Sequence, residues 1–332
     1  VEKKLRHGPP ASRRNAERGG ACGLLVSGVT FRTWLVVILC AAAMSRGFGW
    51  KTATGFNMDF PHVTVQTDPI APHMYRLLGS GANVTASVGP DGILIVDCEF
   101  APMSAKLKEA LDKLGPGPVR YLIDTHWHGD HTGGNADFAR SGTVIIAQAN
   151  VLARLMAPQV MPYFNLKADP APPEAWPRIT YDSAMTLRFN GEDLQLFHQG
   201  DAHTDGDTVV FFPKSNVLCM GDLFINGLYP IIDVGSKGNI DGYFPIIDRA
   251  IALANDSTRV VPGHGPVGSK RDLAFYRDML LTIRDRVARM RAQGMTLEQI
   301  EKANPSKEFD AAWASDRVGP DNVTKMIYET LK

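Results

Sequence analysis

The 332-residue sequence predicts an α/β fold. Three observations carry that expectation. From residue 59 onward, short apolar runs of strand length end in Pro- or Gly-containing turns, and between them lie stretches with apolar residues at helical spacing. Hydrophobic residues make up 44% of the chain, enough at this length for a sizeable buried core. One strand-like run, 119–123, empties into a polar loop dense in histidine, the kind of strand-end loop on which α/β proteins carry chemistry.

In chain order, residues 62–67, 74–78, 84–88 and 93–98 read as strands of a meander, with Gly89-Pro90-Asp91-Gly92 as one of its turns. Residues 105–114 have helical periodicity and are stopped by Gly115-Pro116-Gly117-Pro118. The run 119–123 delivers the histidine loop, 143–147 is a further strand and 148–156 a helix. The proline-rich stretch 158–177, with Met161, Tyr163, Phe164 and Trp176, is too long for an ordinary connection. It reads either as a surface loop wrapping the domain or as a flap presenting aromatics to a substrate. Strands follow at 185–189, 194–198, 208–212 and 216–220, then a helix at 243–253 and a last strand reaching residue 261. From 269 to the end the sequence is helical. Residues 271–293 place Leu273, Phe275, Tyr276, Leu280, Ile283, Val287 and Met290 on a core-facing stripe, with Arg284, Arg286, Arg289 and Arg291 solvated. Thr296-Leu297-Glu298-Gln299 is a capping-box pattern opening a helix at 296–303, and 322–331 forms one more.

Residues 1–45 differ in kind from this 59–332 domain. Lys3, Lys4, Arg6, Arg13, Arg14 and Arg18 precede an apolar segment at 34–43 that ends in Ala41-Ala42-Ala43, the layout of a secretory signal with a small-residue cleavage site. The expectation is export to the periplasm or beyond. A membrane anchor over 21–44, or a cytoplasmic protein starting at Met44, are the alternatives. Cys22 and Cys40 lie in this leader, while Cys98 and Cys219 sit in strand-like runs and read as buried thiols with no disulfide framework. Lys and Arg total 35, as do Asp and Glu, so net charge draws the chain neither to nucleic acid nor to an anionic membrane. A small-molecule substrate is the expected partner.

The loop reads Thr125-His126-Trp127-His128-Gly129-Asp130-His131-Thr132-Gly133-Gly134-Asn135. In extended backbone, side chains two apart share a face, so His126 and His128 point together, with Asp130 and His131 turning to a second position. Neutral imidazole with carboxylate is the ligand set of zinc and its borderline neighbours. His203 lies in another strand-end loop, Gly200 to Asp207. Alone it would read as a surface histidine. The first loop leaves a zinc site unfinished, and strand-loop-strand repetition carries residue 203 to the same sheet edge. His264 sits at the tip of Pro262-Gly263-His264-Gly265-Pro266, and Asp222 follows the run 216–220. His7, His62, His73 and His198 read as solvent-facing or hydrogen-bonded.

The His126–His131 motif with its trailing Thr132-Gly133-Gly134-Asn135 resembles the signature of the metallo-β-lactamase superfamily, closest to its glyoxalase II-like and generic hydrolase branches. The resemblance implies an αββα sandwich with two mixed β-sheets flanked by helices. It also implies two zinc ions, one on His126, His128 and His203, the other on Asp130, His131 and His264, with Asp222 between them. Gly221-Asp222-Leu223-Phe224 matches the Gly-Asp-x-Phe element of the glyoxalase II-like branch, whereas zinc β-lactamases carry Cys or a non-ligand there. Cys219 comes three residues too early to replace Asp222 and is expected to face the core. The implied activity is hydrolysis of an ester, lactone or thioester by a metal-bound hydroxide. The alternatives are β-lactam hydrolysis and the chemistry of the mononuclear iron persulfide dioxygenases, which share the histidine pattern and hold one Fe2+. Asp130 is expected to orient the attacking water. Tyr229 and Asn226 are expected to donate to the developing oxyanion. Asp97 and Asp124, at strand ends beside the site, are candidates to hold imidazole N–H groups.

Overall fold

The computed structural model describes residues 59–331. The leader and its two cysteines therefore lie outside the described residues. The first sheet begins with a meander of β1 (Gln66–Ala71), β2 (Met74–Leu78), β3 (Asn83–Gly89) and β4 (Gly92–Val96). After helix α1 (Ser104–Asp112), β5 (Val119–Ile123) pairs parallel to β4. The histidine loop then winds into two short helices, α2 (Gly129–Thr132) and α3 (Asn135–Arg140), before β6 (Val144–Gln148) and α4 (Ala149–Leu155). A small hairpin, β7 (Gln159–Met161) with β8 (Leu166–Ala168), occupies the proline-rich stretch, and β9 (Ile179–Tyr181) closes the sheet in the order β1-β2-β3-β4-β5-β6-β9.

The second sheet is β10 (Ala184–Phe189), β11 (Glu192–Phe197), β12 (Val209–Phe212), β13 (Val217–Cys219) and, after helix α5 (Ile240–Leu253), β14 (Arg259–Val261). Its first four strands are antiparallel and β14 is parallel to β13. Helices α6 (Lys270–Ala292), α7 (Leu297–Ala303), α8 (Lys307–Trp313) and α9 (Pro320–Thr330) complete the chain. Among the described residues no helix is long and apolar enough to cross a membrane.

Strand alternation sorts the apolar side chains into layers. In β4, Leu94 and Val96 join Leu194, Leu196, Val210, Phe212, Val217 and Cys219 of the second sheet in an inter-sheet core. Ile93 and Ile95 face the other way, onto Leu107 and Leu111 of α1 and Phe138 of α3. On the second sheet's outer face, Phe197, Phe211, Leu218 and Val260 pack against α5, α6 and α9. The order helix, sheet, sheet, helix is thus an αββα sandwich with two mixed sheets. The two thiols obey the same sorting: Cys98 and Cys219 are buried and free, and the Cys219 thiol lies 3.3 Å from Thr85 Oγ1 between the sheets.

Three expectations need correcting. The first strand runs 66–71 rather than 62–67, because residues 59–63 close a turn on the Asp59 carbonyl, and Pro69 is accommodated since β1 is an edge strand with a register shift there. The aromatics of 158–177 are anchors and not an exposed flap. Met161 is buried, Tyr163 packs against the C-terminal helical core, and Phe164 and Trp176 pack with Trp127, Trp176 Nε1 also donating to Ala171 O at 2.9 Å. On α6, Phe275 leaves the expected core stripe, is 51% exposed, and stacks on Trp313 at 6.0 Å. The capping box at Thr296 forms as expected, with Gln299.

Candidate metal centre

Every ligand candidate sits past the C-terminal end of a strand. His126 and His128 follow β5, His203 follows β11, Asp222 follows β13 and His264 follows β14. β11 and β13 are both antiparallel to β12, so their ends share one edge of the second sheet, and β14 parallel to β13 ends there too. β4 and β5 are likewise parallel and end at the matching edge of the first sheet. The site is therefore a shared rim.

Along this rim the side chains form two groups: His126, His128, His203 and Asp222, and Asp130, His131 and His264. In the first, His128 Nδ1 lies 3.1 Å from His126 Nε2 and 3.0 Å from His203 Nε2. The opposite nitrogen of each ring is already engaged. His126 Nδ1 is 3.1 Å from Thr125 Oγ1, His128 Nε2 donates to Asp233 Oδ2 at 3.0 Å, and His203 Nδ1 donates to Ile231 O at 2.6 Å. Those bonds fix the tautomers, leaving three lone pairs aimed at one point. Burial holds the His203 imidazole down to about 4 and keeps His126 well below the ordinary histidine range, so both are neutral.

The second group is charged differently. His131 donates Nδ1 to Asp97 Oδ2 at 2.8 Å, and its Nε2 lies 3.2 Å from Asp222 Oδ1. His264 Nε2 is 3.2 Å from Asp130 Oδ2 and 3.4 Å from Asp222 Oδ1. Burial pulls the His264 ring down, but Asp222 and Asp130 outweigh it and lift it to about 10. Burial likewise favours a neutral Asp222, yet His264 and His131 keep its carboxyl well below the usual range. The Asp222 carboxylate spans the groups, Oδ1 toward His131 and His264, Oδ2 3.6 Å from His203 Nε2.

Buried polar atoms left without a hydrogen bond test whether this set fits a metal. His131 Nε2 and Asp222 Oδ1 are both buried and neither makes a hydrogen bond, despite their proximity. Ligand atoms left without hydrogen bonds, beside rings whose other nitrogens are engaged, fit metal cations that displace the imidazole protons and sit between them. Gly263 belongs to the same cradle, since a Cβ there would fall 1.9 Å from Asp222 Oδ1.

A model of the metallo-beta-lactamase superfamily matches residues 79–264. The chain belongs to that superfamily. Among curated relatives, the alpha subunit of a 2,4-dinitroanisole O-demethylase from Nocardioides sp. is 27% identical over 206 residues, 60% of this chain and 58% of the relative. A type 2 metallo-beta-lactamase from Bacteroides fragilis is 27% identical over 150 residues, 45% of this chain and 55% of that enzyme. The chain thus spans little more than half the length of these relatives. Among solved structures, the sec-alkylsulfatase Pisa1 from Pseudomonas sp. superposes with a TM-score of 0.62 at 15% identity, covering 80% of this chain and 50% of that one. The DIM-1 metallo-beta-lactamase gives 0.53 at 20%, covering 67% and 99%. At these identities the likeness establishes the metallo-β-lactamase fold.

The structure brings His126, His128, Asp130, His131, His203, Asp222 and His264 together. It does not bring Tyr229. Its hydroxyl donates to Asp310 Oδ1 at 2.6 Å and lies 3.3 Å from Ser306 O, and its ring is buried in the C-terminal core. A phenol whose proton is committed to a carboxylate has none to offer an oxyanion, so the catalytic expectation for Tyr229 is withdrawn. Asn226 Nδ2 likewise donates to Pro266 O at 2.9 Å. Asp97 holds His131, whereas Asp124 accepts from Asn135 Nδ2 at 2.9 Å and touches no ligand ring. Sequence reasoning missed Asp233, Ser236 and the Ile231 carbonyl. Ser236 Oγ donates to Asp233 Oδ2 at 2.6 Å and accepts from Trp127 Nε1 at 2.8 Å, so one network fixes both His128 and its neighbour. The only available signal was that His128 required an acceptor for its second nitrogen.

Proposed function

We propose that this chain hydrolyses an ester, lactone or thioester of a small molecule, using two zinc ions held by His126, His128 and His203 on one side, Asp130, His131 and His264 on the other, and Asp222 between them. The observation that carries the reading is the Asp222 carboxylate, whose two oxygens face different ligand groups. A pair of dications held there supplies Lewis acidity and a nucleophilic oxygen at neutral pH. The protein's own residues do the rest. Neutral imidazoles at His126 and His203 leave Asp222 as the one carboxylate of the first group, whereas the second adds Asp130 to the shared Asp222 and so concentrates more negative charge. Asp130, with a side chain 23% exposed, is the carboxylate at the solvent side and would be the one to orient an attacking water once the cations are held. Asp97 and Asp233 hold the rings of His131 and His128 against rotation.

Hydrolysis of a β-lactam is the second reading, favoured by the similarity to the Bacteroides fragilis enzyme. Against it stands Asp222 at the position where zinc β-lactamases carry Cys or a non-ligand, with Cys219 turned between the sheets. Metal content of the purified chain, followed by turnover on thioester, lactone, aryl ester and β-lactam substrates, tests the proposal. Two zinc per chain with turnover on one of the first three supports it. One iron with oxygen uptake, or hydrolysis of the β-lactam alone, overturns it.

A further inference from the structure

The turn joining β2 to β3, and Asn83 that opens β3, contribute no ligand, yet both are tied to the second ligand group. Asn83 is 3% exposed. Its Nδ2 donates to Pro262 O at 3.0 Å and to Gly265 O at 2.9 Å, and its backbone N–H donates to Gly263 O at 2.8 Å. One residue of the first sheet thus brackets His264, which belongs to the second. On the near side of the turn, Glu99 is 1% exposed and accepts the N–H of Gly79 on Oε1 and of Gly81 on Oε2, each at 2.8 Å. Glu99 adopts φ +64, a backbone that a residue with a side chain keeps only where its surroundings hold it. Its carbonyl accepts from Gly134 N at 3.2 Å, just beyond His131. Gly81 packs so closely on Asp130 that an added Cβ would lie 2.9 Å from Asp130 Cβ. The segments carrying Asp130, His131 and His264 are therefore all pinned to one turn. The three-histidine group is held by different residues, Thr125, Asp233 and Ile231.

We infer that Asn83 and Glu99 are positioning residues of the second cation site alone. Two carbonyls beside His264 need a side-chain donor, which the Asn83 amide supplies and a carboxylate cannot. Two glycine N–H groups need acceptors, which the Glu99 carboxylate supplies on both oxygens and an amide on only one. The inference rests on the dinuclear reading above and adds residues that set the occupancy of one of its two positions.

Asn83→Asp and Glu99→Gln, both nearly isosteric, test it in the full chain. Metal-stripped protein is titrated with Zn2+ by calorimetry and with Co2+ by visible absorption, which reports each coordination environment. The wild type is expected to take two equivalents. In either variant the first equivalent should stay within about twofold of wild type while the second weakens by about tenfold or more, the size of effect typical for supports of a ligand. Far-UV circular dichroism and melting of the metal-free variants establish that they fold, and if one does not, the other carries the test. Equal weakening of both equivalents, or weakening of neither, overturns the inference. A wild type that takes a single equivalent overturns it together with the dinuclear reading. Two equivalents with the selective loss, but no turnover on any substrate, overturn the hydrolytic proposal and leave this inference standing.

Discussion

Replacing Asp233 by Asn should weaken the three-histidine site without disturbing the fold. The carboxylate accepts His128 Nε2–H at 3.0 Å and Ser236 Oγ–H at 2.6 Å on one oxygen, and Gly235 N–H at 3.1 Å on the other. An amide has a single acceptor oxygen, so either His128 or Gly235 must face an NH2 group. If the oxygen stays with His128, a charge-assisted bond becomes a neutral one. If it turns away, the bond is lost and the ring is free to rotate. Bonds to charged groups contribute about 1.5–3 kcal/mol, so losing half to all of one costs about 1–3 kcal/mol. At about 1.4 kcal/mol per factor of ten, the first equivalent of zinc should bind roughly 5- to 150-fold more weakly. A competition titration against a chromophoric zinc chelator reads this directly, with circular dichroism as the control for folding. Wild-type affinity in a folded Asp233→Asn chain would refute the claim that this carboxylate orients His128.

The remaining expectations concern other parts of the site. Tyr229→Phe should leave turnover within about twofold and lower the melting temperature by a few degrees, since it removes a part-buried hydrogen bond to Asp310 of about 1–2 kcal/mol and nothing that reaches substrate. Steady-state kinetics beside a thermal melt decides it, and a large fall in kcat would restore Tyr229 to the mechanism. Gly263→Ala should abolish tight binding of the second equivalent, because its Cβ would land 1.9 Å from Asp222 Oδ1 and 2.8 Å from Gly221 C; metal analysis after dialysis checks this. In the metal-free chain His264 titrates at about 10, above its ordinary 6.5, and so is protonated at pH 7.5. Cation uptake there must release that proton and strengthen as pH rises toward 10. The ion pairs of metal-free His264 stabilise fully below about 6.5 and are lost as pH climbs through 10, so metal-free stability should fall over that window. Calorimetry in buffers of different ionisation enthalpy counts the protons, and zero release would contradict the assignment.

What the sequence made legible was whatever a local period encodes. His126 and His128 are two residues apart in extended backbone, and their free lone pairs do converge. Ile93 to Val96 announce a buried strand by composition, but the run alone cannot say that Ile93 and Ile95 face helices while Leu94 and Val96 face the other sheet. Partners distant in the chain were not legible. Asp233 supports His128 across 105 residues with no motif around it, and Asn83 reaches Pro262 across 179. Tyr229 was misjudged because closeness in sequence to Asp222 was taken for closeness in space. Gly227, at φ +88, turns the backbone, and Tyr229 N–H then bonds Trp313 O of the C-terminal segment, carrying the phenol to α8. The histidine loop contains two short helices because its backbone N–H groups, from His131 to Gly133, close onto His128 and Gly129 carbonyls, a choice no apolar periodicity reports.

Anomalous diffraction at the zinc edge from crystals of the full chain tests the central claim most directly. Two peaks about 3.5–4 Å apart on either side of Asp222, one within reach of His126, His128 and His203 and the other of Asp130, His131 and His264, are the predicted result. A lone peak among the three histidines, with the Asp130 group empty at saturating zinc, would contradict it.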